Sequence, residues 1–497
     1  MITGKRHDAV YEYECGFDDD GRIVGARVEI ALRAGYSADL SGAVATRAVC
    51  HFDNAYYLSD VEIRALCCKT NTQSNTAFRG FGGPQGALVM EVMLDEIAHR
   101  LKRDPLDVRR ANYYGIGERN VTPYGQPVED NVIAPLTDEL IASSDYQSRR
   151  ADIAAFNATS AVLKRGLAFT PVKFGISFNV PFLNQAGALV HVYKDGSVLV
   201  NHGGTEMGQG LNTKVAQVVA SVPGIGMARV RVTAADTSKV ANTSATAAST
   251  GSDLNGKATE AAAALAIRAR LAELAAKQLG GNAADARFHG GVVEVNGGQM
   301  PFDQLVAAAY LARVQLWSDG FFLFDAERPL GCEDAAGPSV LLRVRRDGVG
   351  SRRRYAHRRM EAAARRSAAR RGPFDQSGHR YRPGGGGFIQ GMGWLTTEEL
   401  WWNRDRRLMT HAPSTYKIHA VSDAPATFNV ELYRNDNAKP TIFRSKAVGE
   451  PLLLSFSVLL AICAAIAASK PDSPDAPQAA RTRHARSDSR RAGRACG

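Results

Sequence analysis

Three glycine-rich loops hold the residues whose types and spacing could do chemistry. The first, at 74–85, reads SNTAFRGFGGPQ. Its glycines let backbone N–H groups approach an anion, a following helix N-terminus adds positive potential, and Arg79 can bind an oxyanion bidentately. The second loop, at 203–210, reads GGTEMGQG, and the third, at 246–251, reads TAASTG. Together the loops predict a large, polar, anionic cofactor that is held mostly by backbone groups.

The elements that must position these loops are predicted from hydrophobic periodicity and turn residues. They are a hairpin within 9–33, a helix from 84 to about 103, a second hairpin at 187–200, a helix at 257–278 and a strand at 427–434. Strand pairs and helices alternate without a regular βαβ rhythm. This order predicts an α+β architecture rather than a doubly wound sheet.

Length and composition set the broad class of the protein. A chain of 497 residues with 45% hydrophobic and 22% charged residues should form two or more domains. Its 7 cysteines are scattered without a CxxC pair or zinc-like spacing, which is typical of a reducing cytoplasm. No signal peptide is visible at the N-terminus. The apolar run 451–468 is interrupted by Ser455 and Ser457, so we expect a buried helix and no membrane partner.

The formal net charge of +11 does not predict nucleic-acid binding. Residues 343–382 contain 14 Arg, no Lys and 3 acidic residues. The positive charge of this stretch alone therefore equals the net charge of the whole chain. A basic nucleic-acid face usually mixes Lys with Arg and belongs to a recognisable module. We therefore expect no nucleic-acid partner. A basic interaction protein built around this stretch is the alternative class, and binding to DNA that collapses with salt would reveal it.

The same Arg-rich stretch has neither helical nor strand periodicity, and its composition predicts disorder. Arginine and glycine enrichment is also what a GC-rich gene gives when it is read out of frame. We interpret 332–385, and the tail after about 470, as frameshifted translation. A basic insertion particular to one lineage is the alternative.

The three loops and several further segments resemble the molybdenum hydroxylases of the xanthine dehydrogenase and aldehyde oxidase family. The resemblance extends over about 1–330 and 386–468. The further segments are KFGISF at 173–178, LNQAGA at 183–188, GGFIQGMG at 386–393, PSTYKI at 413–418 and SKAVGEP at 445–451. These are long matches in a fixed order, whereas an isolated glycine-rich loop would mean little.

The resemblance implies two molybdopterin-binding domains of mixed sheets and helices. The expected divisions are a first domain at 1–160, a second domain at 161–331 that continues at 386–470, the anomalous segment 332–385 and a disordered or frameshifted tail at 471–497. It also implies a molybdenum–pterin cofactor with oxo and sulfido groups, which hydroxylates an electron-poor carbon beside a ring nitrogen. Hypoxanthine and xanthine are the expected substrates.

Glu450 is the expected catalytic base. It is a lone carboxylate between Gly449 and Pro451, at the start of the apolar run, and such a carboxylate can accept a proton from a reacting group. A helix-start carboxylate that interacts with the helix dipole is the structural alternative. The resemblance favours catalysis.

Four residues are expected to bind substrate through the resemblance. Arg47 lies 32 residues before Arg79, a spacing that matches the family's substrate-orienting arginine, and its charge could stabilise negative charge on a purine. Phe81 and Phe178 match the two phenylalanines that sandwich the purine ring. Asn179 stands where a threonine is common, a departure within the pocket.

The cofactor contacts implied by the resemblance lie on all three loops. They are Arg79 and Gly80, then Met207, Gly208 and Gln209, and finally Ala247, Ala248 and Ser249, with the Arg79 backbone expected near the molybdenum. Glu206 is expected to orient its own loop. No protein side chain is required to ligate the metal.

The sequence departs from the family in two places, and the resemblance implies partners that this chain does not contain. The family's upstream loop with a second active-site glutamate would lie before Met1, and its glutamine near the metal falls at Pro383, within the anomalous segment. Iron–sulfur clusters, FAD and NAD are expected on a partner subunit or a missing region, in a cytoplasmic hetero-oligomer that dimerises through the molybdenum subunit. A sister hydroxylase for aldehydes or other N-heterocycles, or an inactive fragment of a disrupted gene, are the alternatives.

Overall fold

The computed structural model describes residues 4–240, 243–323, 341–354, 360–371, 377–405, 407–434, 442 and 450–469. Within these ranges only the backbone is described at 261–263, 341–354, 360–371, 377–384, 432 and 434. Helices and strands are mixed along the chain, and the strands form open sheets. The expected α+β fold is therefore confirmed.

The N-terminal part packs a three-stranded sheet against helices. Strands β1 (Ala9–Phe17) and β2 (Ile23–Gly35) form the predicted hairpin, and β3 (Val61–Lys69) pairs parallel with β2. Helices α1 (Ser41–Cys50) and α2 (Gly83–Leu101) carry site residues at their ends. The remaining helices here are α3 (Pro105–Asn112), α4 (Ile133–Ser143) and α5 (Tyr146–Thr159). The core between them holds β2 side chains that are almost fully buried, such as Ile30 and Leu32.

A second core lies under a four-stranded sheet of order β11-β5-β6-β7. Its strands are β5 (Gln185–Val192), β6 (Val198–His202), β7 (Val230–Val232) and β11 (Trp317–Leu323). The helices against it are α6 (Leu211–Ser221), α7 (Gly251–Ala258), α8 (Leu265–Leu279) and α9 (Phe302–Leu311). Strands β8 (Arg287–His289), β9 (Val292–Val295) and β10 (Gly298–Pro301) form a small separate sheet. The C-terminal end of β6 leads directly into the second loop, and α7, which follows the third loop, packs on β5.

A third sheet, of order β14-β13-β12-β4, crosses the boundary between the two parts. Strand β4 (Leu163–Ile176) carries site residues at its C-terminal end, and β14 (Asn429–Arg434) lies at the far edge. The C-terminal helix α11 (Phe456–Ala467), which follows a short 3-10 helix at Pro451–Ser455, packs on β4. Together with α10 (Ser377–Thr396), it forms a core that includes Phe388 and Phe456.

The composition of 343–382 predicts disorder, but the described backbone here forms two strands. Strands β12 (Leu341–Arg354) and β13 (Met360–Arg371) occupy this stretch, and β12 pairs antiparallel with β4 from one end to the other. Composition-based disorder reflects side chains, whereas strand pairing uses the N–H and C=O groups that every non-proline residue carries. The edge of β4 therefore accepts a partner strand despite the arginine-rich composition of that strand. The residues between these strands lie outside the described residues.

The periodic segments are confirmed with small shifts in their ends. The second hairpin is β5 and β6, and the helix expected from residue 84 is α2. The helix expected at 257–278 is α7 and α8 joined by a π-helical turn at Thr259–Ala264. The apolar run 451–468 forms the 3-10 helix at Pro451–Ser455 and the buried α11. None of the helices within the described ranges is both long and apolar enough to cross a membrane.

Candidate active site

The first loop is pressed onto α1 by its glycines. A Cβ on Gly82 would lie 2.0 Å from the Val44 carbonyl oxygen, and one on Gly83 would lie 2.8 Å from the Phe174 ring. Gly82 also has a φ of +98°, which side chains rarely adopt. This close packing explains why glycines stand at these two positions.

Arg79 joins the first loop to two distant segments of the chain. Its Nε donates to Glu450 Oε1 at 2.7 Å, and its Nη1 donates to Gln390 Oε1 at 3.0 Å. The Arg79 side chain is 33% exposed and that of Glu450 is 11% exposed. An ion pair this poorly solvated is stronger than one on the surface. The expected base and the expected cofactor arginine are therefore brought together, although the sequence did not predict that they pair.

The two carboxylate oxygens of Glu450 have different surroundings. Glu450 caps the 3-10 helix at Pro451–Ser455, and its Oε1 also accepts from the Leu452 N–H at 3.4 Å. Both recorded hydrogen bonds use Oε1. Within the described part of the chain no hydrogen bond to Oε2 is found, so this oxygen keeps its capacity to accept one.

A second arginine, Arg6, contacts the backbone of the first loop. Its Nη1 donates to the Arg79 carbonyl at 2.7 Å, and its guanidinium lies 4.4 Å from the Phe78 ring centroid and 4.9 Å from that of Trp394. Burial lowers the pKa of Arg6 to about 10, so it remains charged at neutral pH. Nothing in the sequence pattern singled out this residue.

Arg47 is buried at the end of α1, with 4% of its surface exposed. Its guanidinium donates to the carbonyls of Gly175 and Ser177 at the end of β4. Burial lowers the pKa of Arg47 to about 10. The nearby Cys50, Tyr124 and Glu450 oppose this shift. A guanidinium has five N–H donors, so the two recorded bonds leave others for a ligand.

Two buried contacts fix β4 against α1 beneath Arg47. The His51 Nδ1 lies 3.1 Å from the Arg47 carbonyl, and its Nε2 accepts from the Gly175 N–H at 3.1 Å, so the ring is the neutral Nδ1–H tautomer. Burial, with help from the charges of Arg47 and Lys173, holds the pKa of His51 well below its ordinary range. Lys173 and Asp53 form an ion pair with side chains only 3% and 1% exposed.

The other three residues expected to bind substrate are Phe81, Phe178 and Asn179. Phe81 follows Arg79 on the first loop and is half-buried. The backbone of Phe178 is clamped by Asn184, which accepts its N–H at 2.8 Å and donates to its carbonyl at 2.9 Å. The Asn179 amide donates to the Ala43 carbonyl at 3.2 Å, so part of its hydrogen-bonding capacity serves α1. Their contact with a substrate stays a prediction.

The second loop is closed by its own side chains. Glu206 Oε1 accepts the N–H groups of Gly208 at 2.8 Å and Gly210 at 3.0 Å. Burial raises the pKa of Glu206, but backbone donors led by the Asn212 N–H outweigh it and hold this pKa below its ordinary value. The Gln209 amide donates to the Thr205 carbonyl at 2.8 Å, so it folds onto its own loop. Met207 is 65% exposed. Glu206 therefore orients its loop, as expected.

The third loop connects the second loop to the end of β4. Thr246 Oγ1 accepts from the Thr205 N–H at 2.8 Å, and the Ala248 carbonyl accepts from the Ser177 N–H at 3.0 Å. Ala248 and Ser249 have φ values of 53° and 59°, a left-handed backbone that is uncommon for residues other than glycine. Such strain is typical of functional loops. The three loops, Arg47 and Glu450 are thus joined by one continuous set of contacts.

Two observations fit the predicted anionic cofactor. The Ser177 Oγ, beside the third loop, is buried and has no hydrogen-bond partner among the described residues. Gly208, on the second loop, has a φ of +93° and open space where a Cβ would stand. A buried hydroxyl without a partner is costly unless a ligand satisfies it. No three His, Cys, Asp or Glu side chains in the described ranges are grouped so as to hold a metal ion.

Sequence reasoning named most of the residues that these contacts join, but it did not single out Gln390, Arg6 or Ser177. Gln390 was seen only as part of a glycine-rich match, and its bond to Arg79 could not be read from a separation of 311 residues. Arg6 and Ser177 carried no signal beyond their neighbours. The segment expected to hold the family glutamine, at Pro383, has only its backbone described.

Two family models match the chain, and both are described as molybdopterin cofactor-binding domains. One matches 1–113, and the other matches 139–337 and 385–425, which leaves 338–384 unmatched. The chain is 37% identical over 485 residues to the xanthine dehydrogenase of Oryza sativa subsp. japonica, with 95% of this chain and 33% of that protein covered. It is 38% identical over 478 residues to the xanthine dehydrogenase/oxidase of Felis catus, with 95% and 34% covered. The chain thus spans about a third of the length of these relatives.

Solved structures share the fold at lower identity. Quinoline 2-oxidoreductase from Pseudomonas putida 86 is similar with a TM-score of 0.81 and 20% identity, over 93% of this chain and 60% of that one. The aldehyde oxidoreductase from Desulfovibrio desulfuricans is similar with a TM-score of 0.76 and 20% identity, over 93% and 47%. From the matched models and the relatives, the chain belongs to the molybdopterin-binding xanthine dehydrogenase family of molybdenum hydroxylases.

Proposed function

We propose that this chain provides the molybdopterin site of an enzyme that hydroxylates purines, converting hypoxanthine to xanthine and xanthine to urate. The observation that carries the proposal is the placement of Glu450. Its carboxylate is anchored through Oε1 by Arg79 of the first loop, and no hydrogen bond to Oε2 is found among the described residues. When bound, the molybdenum–pterin group supplies the oxygen transfer and accepts two electrons from the substrate carbon.

In this proposal Glu450 takes up the proton that the hydroxylation releases. Arg79 fixes the carboxylate, so Oε2 keeps one direction instead of rotating. A fixed base within reach of the reacting group contributes typically about 10²–10⁴-fold to the rate. Gln390, on the other side of the Arg79 guanidinium, holds that arginine in place.

Substrate orientation falls to α1, the first loop and the end of β4. The Arg47 cation would stabilise negative charge that builds up on a purine oxygen or nitrogen. The rings of Phe81 and Phe178 would hold the flat purine by stacking and edge contacts. Asn179 would contribute a polar group at the same place, beyond its bond to the Ala43 carbonyl.

Cofactor binding falls to the backbone of the three loops. Gly208 is exposed and has open space where a Cβ would stand. Gly80 of the first loop, Met207 and Gln209 of the second, and Ala247, Ala248 and Ser249 of the third would make the other contacts. Arg79 would place its backbone near the metal. Iron–sulfur clusters and FAD, with NAD as electron acceptor, would belong to a partner subunit or another part of the protein, in a cytoplasmic assembly dimerised through this chain.

A related hydroxylase for aldehydes or other N-heterocycles is the second candidate. It is favoured by the carbonyl contacts of Arg47, which tie two of its nitrogens to β4 and leave less of the guanidinium for a purine. The charge itself favours the purine, because an aldehyde has no distal ring for it to face.

The substrate can be tested in a chimera. Residues 1–331 and 386–470 would replace their counterparts in the xanthine dehydrogenase of Oryza sativa, because this chain spans only a third of that protein. We expect kcat/KM for hypoxanthine to exceed that for benzaldehyde. A preference for benzaldehyde with full molybdenum content would contradict the purine assignment, and the unmodified Oryza enzyme is the control.

A further inference from the structure

His202 lies at the entry to the second loop, and the proposed hydroxylation does not use it. It is the last residue of β6 and is 1% exposed. The Gly204 N–H donates to its Nδ1 at 3.0 Å, and its Nε2 lies 3.0 Å from Asn212 Oδ1 on α6. Because an N–H group can only donate, Nδ1 must be unprotonated, so Nε2 carries the proton and donates to Asn212.

The imidazole therefore bridges the two ends of the second loop. Gly204 is already pressed close to its surroundings, since a Cβ there would lie 2.6 Å from Leu211 Cδ2 and 2.8 Å from Asn255 Nδ2. At the exit of the loop, Glu206 Oε2 accepts the Asn212 N–H at 3.0 Å. Asn212 is thus held at its side chain by His202 and at its backbone by Glu206.

Among the described residues, the side chains that act on the ring are one carboxylate and two neutral amides. Glu206, on the same loop, is the charged residue that acts on it. Asn212 faces it from α6, Asn255 from α7, and Ala188 of β5 lies opposite in register. Burial lowers the pKa of His202, while the bond to Asn212, the nearby Asn255 side chain and the charge of Glu206 oppose this shift. The fold therefore selects the neutral ring.

We infer that His202 is a positioning residue for the cofactor loop: as the neutral Nε2–H tautomer it fixes Gly204 and Asn212, so that Met207, Gly208 and Gln209 face the cofactor. The inference rests on the proposed cofactor role of those three residues. A proton on Nδ1 would leave the Gly204 N–H without an acceptor. Acid would therefore loosen the second loop before the rest of the sheet.

The tautomer can be read directly in the 497-residue chain labelled with ¹⁵N-histidine. Two-bond proton–nitrogen NMR spectra distinguish the Nε2–H form, the Nδ1–H form and the charged ring, and the variant H202N assigns the signal. We expect the Nε2–H pattern to persist below the ordinary histidine pKa of about 6.5. An Nδ1–H pattern, or an ordinary titration near that value, would overturn the inference.

Matched variants then test the contact with Gly204 by hydrogen exchange of that amide. In His202→Asn the Oδ1 takes the place of Nδ1, so protection should be kept, whereas His202→Leu removes the acceptor. We expect exchange at Gly204 to be faster by about tenfold or more in His202→Leu, because a buried donor loses its partner. His191→Asn, on β5 of the same sheet, is the control. Equal protection in the Asn and Leu variants would overturn the inference.

Cofactor retention in the chimera separates this inference from the proposed function. If the unmodified chimera holds molybdenum and pterin, His202→Leu should lose both during gel filtration more readily than His202→Asn; equal retention would refute the positioning role. If the unmodified chimera holds neither, the proposed function fails, and the tautomer and exchange measurements still decide whether His202 fixes the loop.

Discussion

The two halves of the candidate site are built by different physical means. The charged half, formed by α1, the first loop, the end of β4 and Glu450, depends on buried ionic groups such as Arg47 and the Lys173–Asp53 pair. The loop half, formed by 203–210 and 246–251, depends on backbone groups held by Glu206, Thr246 and His202. Charged side chains suit a reaction that moves protons, and backbone amides suit a large ligand that makes many weak contacts. The comparison predicts large single-residue effects in the charged half and small ones in the loop half.

The largest effect is expected for Glu450→Gln in the chimera. The amide cannot accept the proton, so turnover of hypoxanthine should fall by about 10²–10⁴-fold while molybdenum content is kept. Steady-state rates and metal analysis of the same preparation check this. Glu399→Gln, at an exposed carboxylate, is the control. A loss below about tenfold would reassign Glu450 to structure.

Lys173→Met should be the most destabilising change. Removing one partner leaves Asp53 buried and unpaired, at a cost of about 3–5 kcal/mol. Urea unfolding of the 497-residue chain measures the free energy. The exposed Lys194→Met is the matched control, and the double variant Asp53→Asn with Lys173→Met should recover part of the loss. A cost as small as that of Lys194→Met would show that the ion pair does not stabilise the charged half.

Arg47→Met should separate substrates in the chimera. Loss of the cation should reduce kcat/KM for hypoxanthine by about a hundredfold, the order found for a preorganised donor to developing charge, and reduce that for benzaldehyde far less. Kinetics on both substrates decide, with the exposed Arg22→Met as control. Equal losses on both substrates would make Arg47 a structural residue that holds β4.

The stability of the chain should fall in acid because of His51. Its folded-state pKa lies well below its ordinary value, so the unfolded chain binds more protons as the pH drops below about 6.5. The loss is about 1.4 kcal/mol per pH unit for each such histidine. Unfolding free energies at several pH values should show a shallower slope for His51→Gln. An unchanged slope would mean that His51 is protonated in the folded chain.

The smallest effect is expected for Thr246→Val in the loop half. It removes the acceptor of the Thr205 N–H, and one hydrogen bond is worth about 1 kcal/mol. Urea unfolding measures it beside the exposed Thr159→Val. A cost as large as that of Lys173→Met would erase the contrast between the halves.

How far the sequence predicts this structure depends on the range of the signal. Periodicity and turns predicted both hairpins and α2, because those patterns are local. The pairing of Arg79 with Glu450 was not predicted, since the two lie 371 residues apart. The pairing of β12 with β4 was missed, because the arginines of 343–382 hide a strand that the edge of β4 specifies. The hydrogen bond from the Gln209 amide to the Thr205 carbonyl was not predicted, because such an amide can bond either to its own loop or to a ligand.

The central claim is that the charged half and the loop half face one molybdenum–pterin group. Anomalous diffraction from crystals of the loaded chimera, measured at the molybdenum absorption edge, locates the metal directly. We predict a single peak per chain at the junction of the first loop, the second loop and Glu450, on the side of Oε2. A peak elsewhere in a chimera that retains pterin, or a chimera that folds with Arg79 paired to Glu450 and yet shows no peak, would contradict the claim.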